Sequence, residues 1–187
     1  MIDLAPHIEG FLDLVSSGGI EIYNEASVQF ELAIVLRAAL GTTANVQLER
    51  NVSFFGLGTP ALEKTEMDIV IFTDDEKHCI EIKYPENGQR PEQMYAACEA
   101  IRFLEQLVTE GEFATCYFLM ITNLFWEDGS ATNPISGYFR DEVVPVVGTV
   151  WKPTRDTGEH LDFTGEYTLV WDILPGTDLR YILLPVA

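Results

Sequence analysis

The sequence predicts an α/β fold in which a mixed central β-sheet is flanked by helices. Helix-like and strand-like segments follow one another in the order α–β–β–β–α–β through residue 122, and further strands follow. Hydrophobic residues make up 47% of the chain and charged residues 22%, which is the balance of an ordinary globular protein. A length of 187 residues indicates a single domain. We expect its core over about residues 24–122 and a β-rich extension over about residues 140–187.

Two helices are expected before residue 41. A short one covers Ala5–Val15, because two serines and two glycines follow it. A stronger signal covers Asn24–Leu40, where Asn24 can cap the first turn and Gly41 can end the last one. The second helix is apolar on nearly every side, which predicts that it is buried.

Strand-like segments follow this helix. Val46–Phe55 alternates between apolar and polar residues and ends at a Gly-Leu-Gly turn. Glu66–Thr73 and Lys77–Tyr84 flank the turn-like residues Asp-Asp-Glu, which predicts a β-hairpin. Pro85 ends the second strand of this hairpin, because proline cannot donate a ladder hydrogen bond.

The second half of the chain predicts one more helix and several strands. A helix is expected from Pro91 to about Thr109, where apolar residues recur at intervals of three and four, as in an amphipathic helix that packs on a sheet. The segment Thr115–Thr122 is almost continuously apolar, which is typical of a buried central strand. The clearest later strands are Tyr167–Leu174 and Leu179–Val186.

The charge of the chain restricts its partners. Eleven lysines and arginines stand against 30 aspartates and glutamates, which gives a net charge of −19. A field of this sign repels phosphate and therefore disfavours general binding to nucleic acids or anionic membranes. A specific DNA-binding function would need the few basic residues to line one cleft, or a partner protein to supply affinity.

Several classes of protein are disfavoured by the sequence. The first ten residues contain two acids and no lysine or arginine, so we do not expect a secretory signal peptide. No apolar run reaches the ~18 residues that a membrane span needs. The three cysteines predict neither a disulfide framework nor a zinc site, since no pair has zinc-site spacing. We therefore expect a cytoplasmic protein that does not enter membranes.

The predicted hairpin carries the candidate functional residues. Side chains alternate between the two faces of a strand, so Glu81 and Lys83 share one face while Ile80 and Ile82 share the other. An even-length turn places Asp68 across from Glu81 or Lys83. Two acids and a lysine on a mostly buried sheet are costly unless they are paired or bind a metal ion.

This set of side chains suits metal-assisted hydrolysis of phosphodiesters. Two carboxylates can hold Mg²⁺ through oxygen ligands and leave positions for water and phosphate. Such a metal lowers the pKa of its bound water and stabilises charge on the phosphate. A lysine beside the carboxylates can orient the attacking water or neutralise the charge that develops in the transition state.

The spacing is similar to that of a known superfamily. Asp68, twelve intervening residues and then Glu81-Ile82-Lys83, set in the element order given above, resemble the PD-(D/E)xK nucleases. The resemblance covers roughly Asn24–Thr122 and implies a restriction-endonuclease-like fold. It also implies an endonuclease or exonuclease that cleaves DNA with Mg²⁺ or Mn²⁺, in repair, restriction or defence against phages and mobile elements. Asp68 and Glu81 would then bind the metal, and Lys83 would be the catalytic lysine.

The same resemblance implies a glutamate from the first core helix. Glu31 fits best, because most of its neighbours three and four residues away are apolar. A carboxylate on such a face is unfavourable unless it has a functional role. Glu31 would be a third metal ligand and would assist catalysis. Glu25 is the second choice, since an acid in a first turn simply favours the helix dipole. Gln93, on the helix after the lysine strand, is an auxiliary contact.

Two other interpretations stay open at this stage. The same fold could serve as a non-catalytic acidic module that imitates DNA towards a DNA-binding partner. Alternatively, Asp68, Glu81 and Lys83 could form structural cross-strand ion pairs in an ordinary α/β protein. A basic groove around Lys83 would favour the nuclease, whereas uniform acidity would favour the module. A protein partner or a homodimer is compatible with either function.

Overall fold

A computed structural model describes residues 2–58, 62–86, 90–123, 134–140, 144–153 and 158–187. Its α-helices are α1 (Ala5–Ser16), α2 (Glu25–Leu40) and α3 (Arg90–Thr109). Its strands are β1 (Asn45–Asn51), β2 (Glu66–Phe72), β3 (Lys77–Lys83), β4 (Cys116–Thr122), β5 (Val146–Trp151), β6 (His160–Tyr167), β7 (Asp172–Ile173) and β8 (Arg180–Val186). Short 3-10 helices cover Val52–Phe55 and Pro134–Phe139.

The central sheet has six strands in the order β1-β2-β3-β4-β8-β7. Strands β3 and β4 run parallel, and every other neighbouring pair is antiparallel. A parallel pair needs a crossover connection, and here α3 lies on that connection. The predicted α/β class with a mixed sheet between helices is confirmed.

The sheet is covered on both faces. Ile69, Ile80 and Leu119 belong to a buried cluster with the apolar residues of α1 and α2. Val70, Cys79 and other residues of the opposite face pack with α3 and with the β5–β6 pair. Because hydrophobic layers lie on both sides of β2 and β3, any charged side chain on these strands must find a partner or remain near an edge.

Helix α2 begins where the sequence predicts it, directly after the N-cap residue Asn24. The Asn24 side chain accepts a hydrogen bond from the Ser27 backbone N–H at 2.8 Å, and the Ser27 hydroxyl oxygen accepts one from the Asn24 N–H at 3.0 Å. This reciprocal capping box confirms Asn24 as the N-cap. The prediction that α2 is buried all round is wrong, because Phe30 and Ile34 are 55% and 43% exposed. Only the side that faces the sheet and α1 is covered.

Two predicted strands differ from the structure. The segment Val46–Phe55 does not remain extended, because the Asn51 side chain accepts a hydrogen bond from the Ser53 N–H and the last four residues turn into a 3-10 helix. Tyr167–Leu174 is not a continuous strand either. β6 ends at Tyr167, and in the rest of this segment only the two residues of β7 form a strand. Leu169 and Leu174 pack into the core from this connection, whereas Val170 and Ile173 are exposed.

The last third of the chain contributes strands to the central sheet and to a second, smaller sheet. Strand β8 pairs with β4 and extends the central sheet, with β7 outside it. Strands β5 and β6 form a separate two-stranded sheet that packs with α3. None of the helices in the described ranges has the length and apolar character needed to cross a bilayer.

One buried carboxylate attaches the small sheet to α3. Glu105 is almost fully buried, and it accepts hydrogen bonds from the backbone N–H groups of Thr164 and Gly165 and from the hydroxyl groups of Thr164 and Tyr167. Arg102 on the preceding turn of α3 forms an ion pair with it. Burial raises the pKa of Glu105, but these donors outweigh burial and hold the pKa below its ordinary value. The carboxylate is therefore ionised and locks β6 onto the helix.

We expect Glu105→Gln to lower the free energy of unfolding by roughly 2 kcal/mol, because a neutral amide cannot accept all of these hydrogen bonds. Urea denaturation of the variant and the wild type measures this difference. Glu166→Gln, at an exposed position of β6, is the matched control and should change stability little. Equal stability of all three proteins would contradict the anchoring role of Glu105.

Candidate functional site

The ladder between β2 and β3 is regular only over part of its length. Ile69 pairs with Ile80 and Val70 with Cys79, so the next cross-strand neighbours are Asp68 and Glu81. At this pair, side-chain carboxylates rather than backbone carbonyl groups accept hydrogen bonds from the backbone N–H groups. The Ile82 N–H donates to Asp68 Oδ2 at 2.7 Å, and the Asp68 N–H donates to Glu81 Oε1 at 3.2 Å. Both carboxylates are therefore built into the gap where the two strands separate.

The other side of Asp68 is irregular as well. On β1, the pairs Leu48–Ile69 and Arg50–Met67 leave Glu49 facing Asp68 without a regular ladder pair. Glu49 has a φ of 50°, which is uncommon for a residue other than glycine and carries backbone strain. Gln29 of α2 donates to the Asp68 carbonyl oxygen and to Glu49 Oε1, each at 2.6 Å. The backbone around Asp68 is thus fixed from α2, β1 and β3.

A third residue joins the two carboxylates. Lys64, which lies two residues before β2, places its Nζ 3.3 Å from Asp68 Oδ1 and in direct contact with Glu81 Oε2. The Glu81 side chain is fully buried, the Asp68 side chain is 12% exposed and the Lys64 side chain is 27% exposed. Asp68 and Glu81 therefore converge, as the hairpin pattern predicts, and an ammonium group lies between them.

Burial and charge shift the pKa values of this cluster. Burial, together with repulsion from Asp68, raises the pKa of Glu81 to about 7, although Lys64 and Lys83 oppose the shift. Burial lowers the pKa of Lys64, but attraction to Glu81 and Asp68 outweighs burial and holds that pKa above its ordinary value. Lys64 is therefore charged at neutral pH, and Glu81 takes up a proton near neutral pH rather than near its ordinary pKa of 4.5.

The structure gives Lys83 a different partner from the one expected. Its Nζ lies 3.6 Å from Glu25 Oε1 and donates to the Ile82 carbonyl oxygen at 2.8 Å. Glu25 Oε2 in turn accepts a hydrogen bond from the Tyr84 N–H at 3.3 Å. The Lys83 amine therefore forms its ion pair with the first turn of α2, although it is still close enough to Glu81 to oppose the rise in the pKa of that carboxyl group.

A cavity of 220 Å³ opens beside this ion pair. It is lined by Lys83 and Gln93, two of the predicted site residues, together with Glu25, Tyr84, Pro85 and Glu86 among others. Asp68 and Glu81 do not line it. The structure thus forms two neighbouring parts, a buried carboxylate pair around Lys64 and a more open cavity around Lys83.

The structure does not bring Glu31 to the carboxylate pair. In the part of the chain described here, no hydrogen bond or ion pair joins Glu31 to Asp68 or Glu81. Glu31 follows Gln29 by two residues, which is about 200° around a helix of 3.6 residues per turn. Glu25 and Gln29 are four residues apart and share the face that looks at the strands. It is Glu25, the second choice, that α2 presents to Lys83.

The carboxylate pair fits some metal ions better than others. Among the described residues, no three histidine, cysteine, aspartate or glutamate side chains converge on one point as a metal cluster. Two carboxylates suffice for Mg²⁺, which is commonly held by one or two of them and keeps waters or phosphate oxygens as further ligands. A closed structural zinc site would need four ligands. The ammonium group between Asp68 and Glu81 indicates that the pair accommodates a cation.

Among the residues whose side chains the structure describes, which do not include Arg90, no basic groove surrounds Lys83. Lys83 is the only lysine or arginine among the described residues that line the 220 Å³ cavity, where it faces Glu25 and Glu86. Two other cations pair with acids of their own: Lys152 with Glu159, and Arg102 with Glu105. The local charge around Lys83 is therefore acidic, like that of the whole chain.

The sequence analysis assigned no role in the site to Lys64, Glu49 or Gln29, although Lys64 is one of the few basic residues near the candidate acids in the sequence. Lys64 lies outside the strands, in a segment with no periodic pattern, so only its position four residues before Asp68 could have drawn attention to it. Glu49 lies within the predicted strand and Gln29 within the predicted helix, but an irregular φ or a contact between a helix and a carbonyl group leaves no signal in a sequence.

The chain was compared with protein-family models, with curated proteins and with solved structures, and none of the three comparisons finds a match. The resemblance to the PD-(D/E)xK nucleases therefore rests on the motif and the element order in the sequence.

The raised pKa of Glu81 predicts a pH dependence of stability. Because this pKa is about 7 in the folded protein and 4.5 ordinarily, the folded state binds more protons than the unfolded state between these values. Stability should therefore fall as pH rises from about 4.5 to about 7, by at most about 1.4 kcal/mol per pH unit. We expect Glu81→Gln to remove this slope.

Urea denaturation between pH 4.5 and 8 measures the effect, as the difference between wild type and variant. Glu31→Gln on α2 is the control and should retain the wild-type slope. A slope that persists unchanged in Glu81→Gln would show that other acids cause it.

Proposed function

We propose that the protein is a Mg²⁺- or Mn²⁺-dependent nuclease with a restriction-endonuclease-like fold, and that it hydrolyses phosphodiester bonds of DNA. One observation carries this proposal: Asp68 and Glu81 meet around a cationic group at the point where β2 and β3 separate, with Lys83 two residues farther along β3. Burying two acids side by side is unfavourable unless a cation compensates their charge.

The arrangement of elements supports the same proposal. From α2 to β4 the chain forms a helix, three antiparallel strands, a helix and a strand parallel to β3. We take this arrangement as support for the proposal, because the resemblance to PD-(D/E)xK nucleases rests on the motif and the order of the elements. The two candidate acids and the candidate lysine lie on the central strands β2 and β3, which are rigid supports for a site.

Each residue has a defined role in the proposal. Asp68 and Glu81 would hold the metal ion, which when bound lowers the pKa of a water molecule and neutralises phosphate charge. Lys83 would meet the charge that develops on the phosphate, an interaction made mainly in the transition state. Glu25 orients Lys83 from α2, in the place where the resemblance implies a helix glutamate. Gln93 would contact the substrate as an auxiliary residue.

The net charge has a consequence for substrate binding. At −19 the field of the protein repels DNA, and the cavity beside Lys83 is lined by Glu25 and Glu86. Affinity for DNA should therefore depend on divalent cations at the site or on a partner protein, and it should be weak without either.

Cleavage assays with single-stranded, duplex and branched DNA, in Mg²⁺ or Mn²⁺, test this function. We expect Asp68→Asn to abolish cleavage. Lys83→Met should lower turnover by roughly two to three powers of ten, as the loss of a transition-state donor typically does, with a much smaller change in DNA affinity. Lys152→Met removes the same charge from an exposed Lys–Glu pair and should leave turnover unchanged. Unchanged cleavage by folded Asp68→Asn and Lys83→Met proteins would contradict the proposal.

A second candidate function is a non-catalytic acidic module that imitates DNA. The acidic lining of the cavity beside Lys83 favours it, because Glu25 and Glu86 face Lys83 there and repel a nucleic acid. Its partner would be a basic DNA-binding protein. Absence of cleavage by the wild type on all substrates, together with binding to a basic DNA-binding protein that DNA competes away, would support this module over the nuclease.

A further inference from the structure

The ammonium group of Lys64 lies where a metal ion would have to bind. It contacts Glu81 Oε2 and lies 3.3 Å from Asp68 Oδ1, so it bridges one oxygen of each acid. Oxygen ligands approach Mg²⁺ to about 2.0–2.1 Å. An ammonium group and a divalent cation cannot both fit between the same two carboxylates, and their charges would repel each other.

Other contacts show that Lys64 is held in this position. The Glu63 N–H donates to Gln106 Oε1 of α3 at 2.9 Å, and the Thr65 carbonyl oxygen accepts from the Val52 N–H at 2.9 Å. The backbone is therefore anchored on both sides of Lys64. The Lys64 Nζ also lies 5.7 Å from the centre of the Phe103 ring, within the range of a cation–π contact.

The side chain nevertheless has a route out of the site. It is 27% exposed, whereas Glu81 beneath it is fully buried. Lysine has a flexible four-carbon stem, so its charged end can move to solvent while the backbone stays in place. The two acids do not have this freedom, because both also accept backbone hydrogen bonds within the sheet.

We propose that Lys64 is an internal competitor for the divalent cation: it neutralises Asp68 and Glu81 in the metal-free protein and withdraws to solvent when the metal binds. This inference rests on the proposed metal-dependent function and adds a residue that controls it. Lys64 has no role in the reaction itself. It sets how much free metal is needed, because only the fraction of molecules with Lys64 withdrawn can bind the ion.

Removal of the competitor should strengthen metal binding. In calorimetric titrations with MgCl₂ and MnCl₂, we expect Lys64→Met to lower Kd by about ten-fold or more. Lys152→Met is the matched control, since it removes one positive charge from a different Lys–Glu pair, and its Kd should stay within about two-fold of the wild type. Asp68→Asn added to Lys64→Met should abolish the gain. If Lys64→Met does not fold without metal, Lys64→Gln is titrated instead.

Withdrawal of the side chain has its own signature in the unaltered protein. An amine-reactive reagent at limiting concentration, followed by peptide mass spectrometry, measures the accessibility of each lysine. We expect slow labelling of Lys64 in the metal-free protein and at least several-fold faster labelling with saturating MgCl₂ or MnCl₂. Labelling of Lys152 should not change.

The outcomes separate this inference from the proposed function. Tighter binding by Lys64→Met with metal-dependent labelling of Lys64 supports the competitor, even if no DNA is cleaved. Equal Kd values for Lys64→Met and wild type, or labelling of Lys64 that ignores the metal, overturn the competitor and leave the nuclease proposal standing. No metal binding by either protein overturns both.

Discussion

The burial of Glu81 constrains the whole arrangement of the candidate site. A carboxylate that is fully buried between two hydrophobic layers must be compensated by charge and by hydrogen bonds. Asp68 supplies a backbone N–H donor and Lys64 supplies the charge. These partners force β2 and β3 apart at this point, so the Asp68 carboxylate takes the place of a backbone acceptor for Ile82. The gap in the ladder and the cationic group are two consequences of one buried charge.

The motif has one lysine beside its acids, whereas this structure has two, Lys64 and Lys83, with different partners. Lys64 neutralises the buried acids, while Lys83 pairs with Glu25 at the mouth of a cavity. An ammonium between two carboxylates is well placed to hold them together but cannot also meet a substrate. Lys83 is 19% exposed and shares its cavity with Gln93, so it is the lysine that a phosphate could reach.

Local patterns predicted the helices and the β2–β3 hairpin well, because these elements depend on neighbours in sequence. The capping box at Asn24 and the amphipathic pattern of α3 specify their helices almost to the residue. Strand alternation likewise brings Asp68 and Glu81 together. What the sequence could not supply is contact between distant segments: Lys64 reaches the acids from a non-periodic loop, and α2 is rotated so that Glu25, rather than Glu31, faces the strands. Rotation of a helix that is apolar on nearly every side is set by packing, which its own sequence does not specify.

The acidity of the chain and the chemistry of the site are connected through this cluster. With a net charge of −19, the protein attracts cations in general, and a divalent ion would enter a buried acid pair readily if nothing opposed it. Lys64 would oppose entry of the ion, because displacing its ammonium group breaks an ion pair with Glu81 in an environment of low dielectric constant. The same field repels DNA, so a substrate phosphate is favoured only once the site carries extra positive charge. In the proposed nuclease, loading of the metal and admission of the substrate would be coupled steps, and the proposed competitor Lys64 would control the first of them.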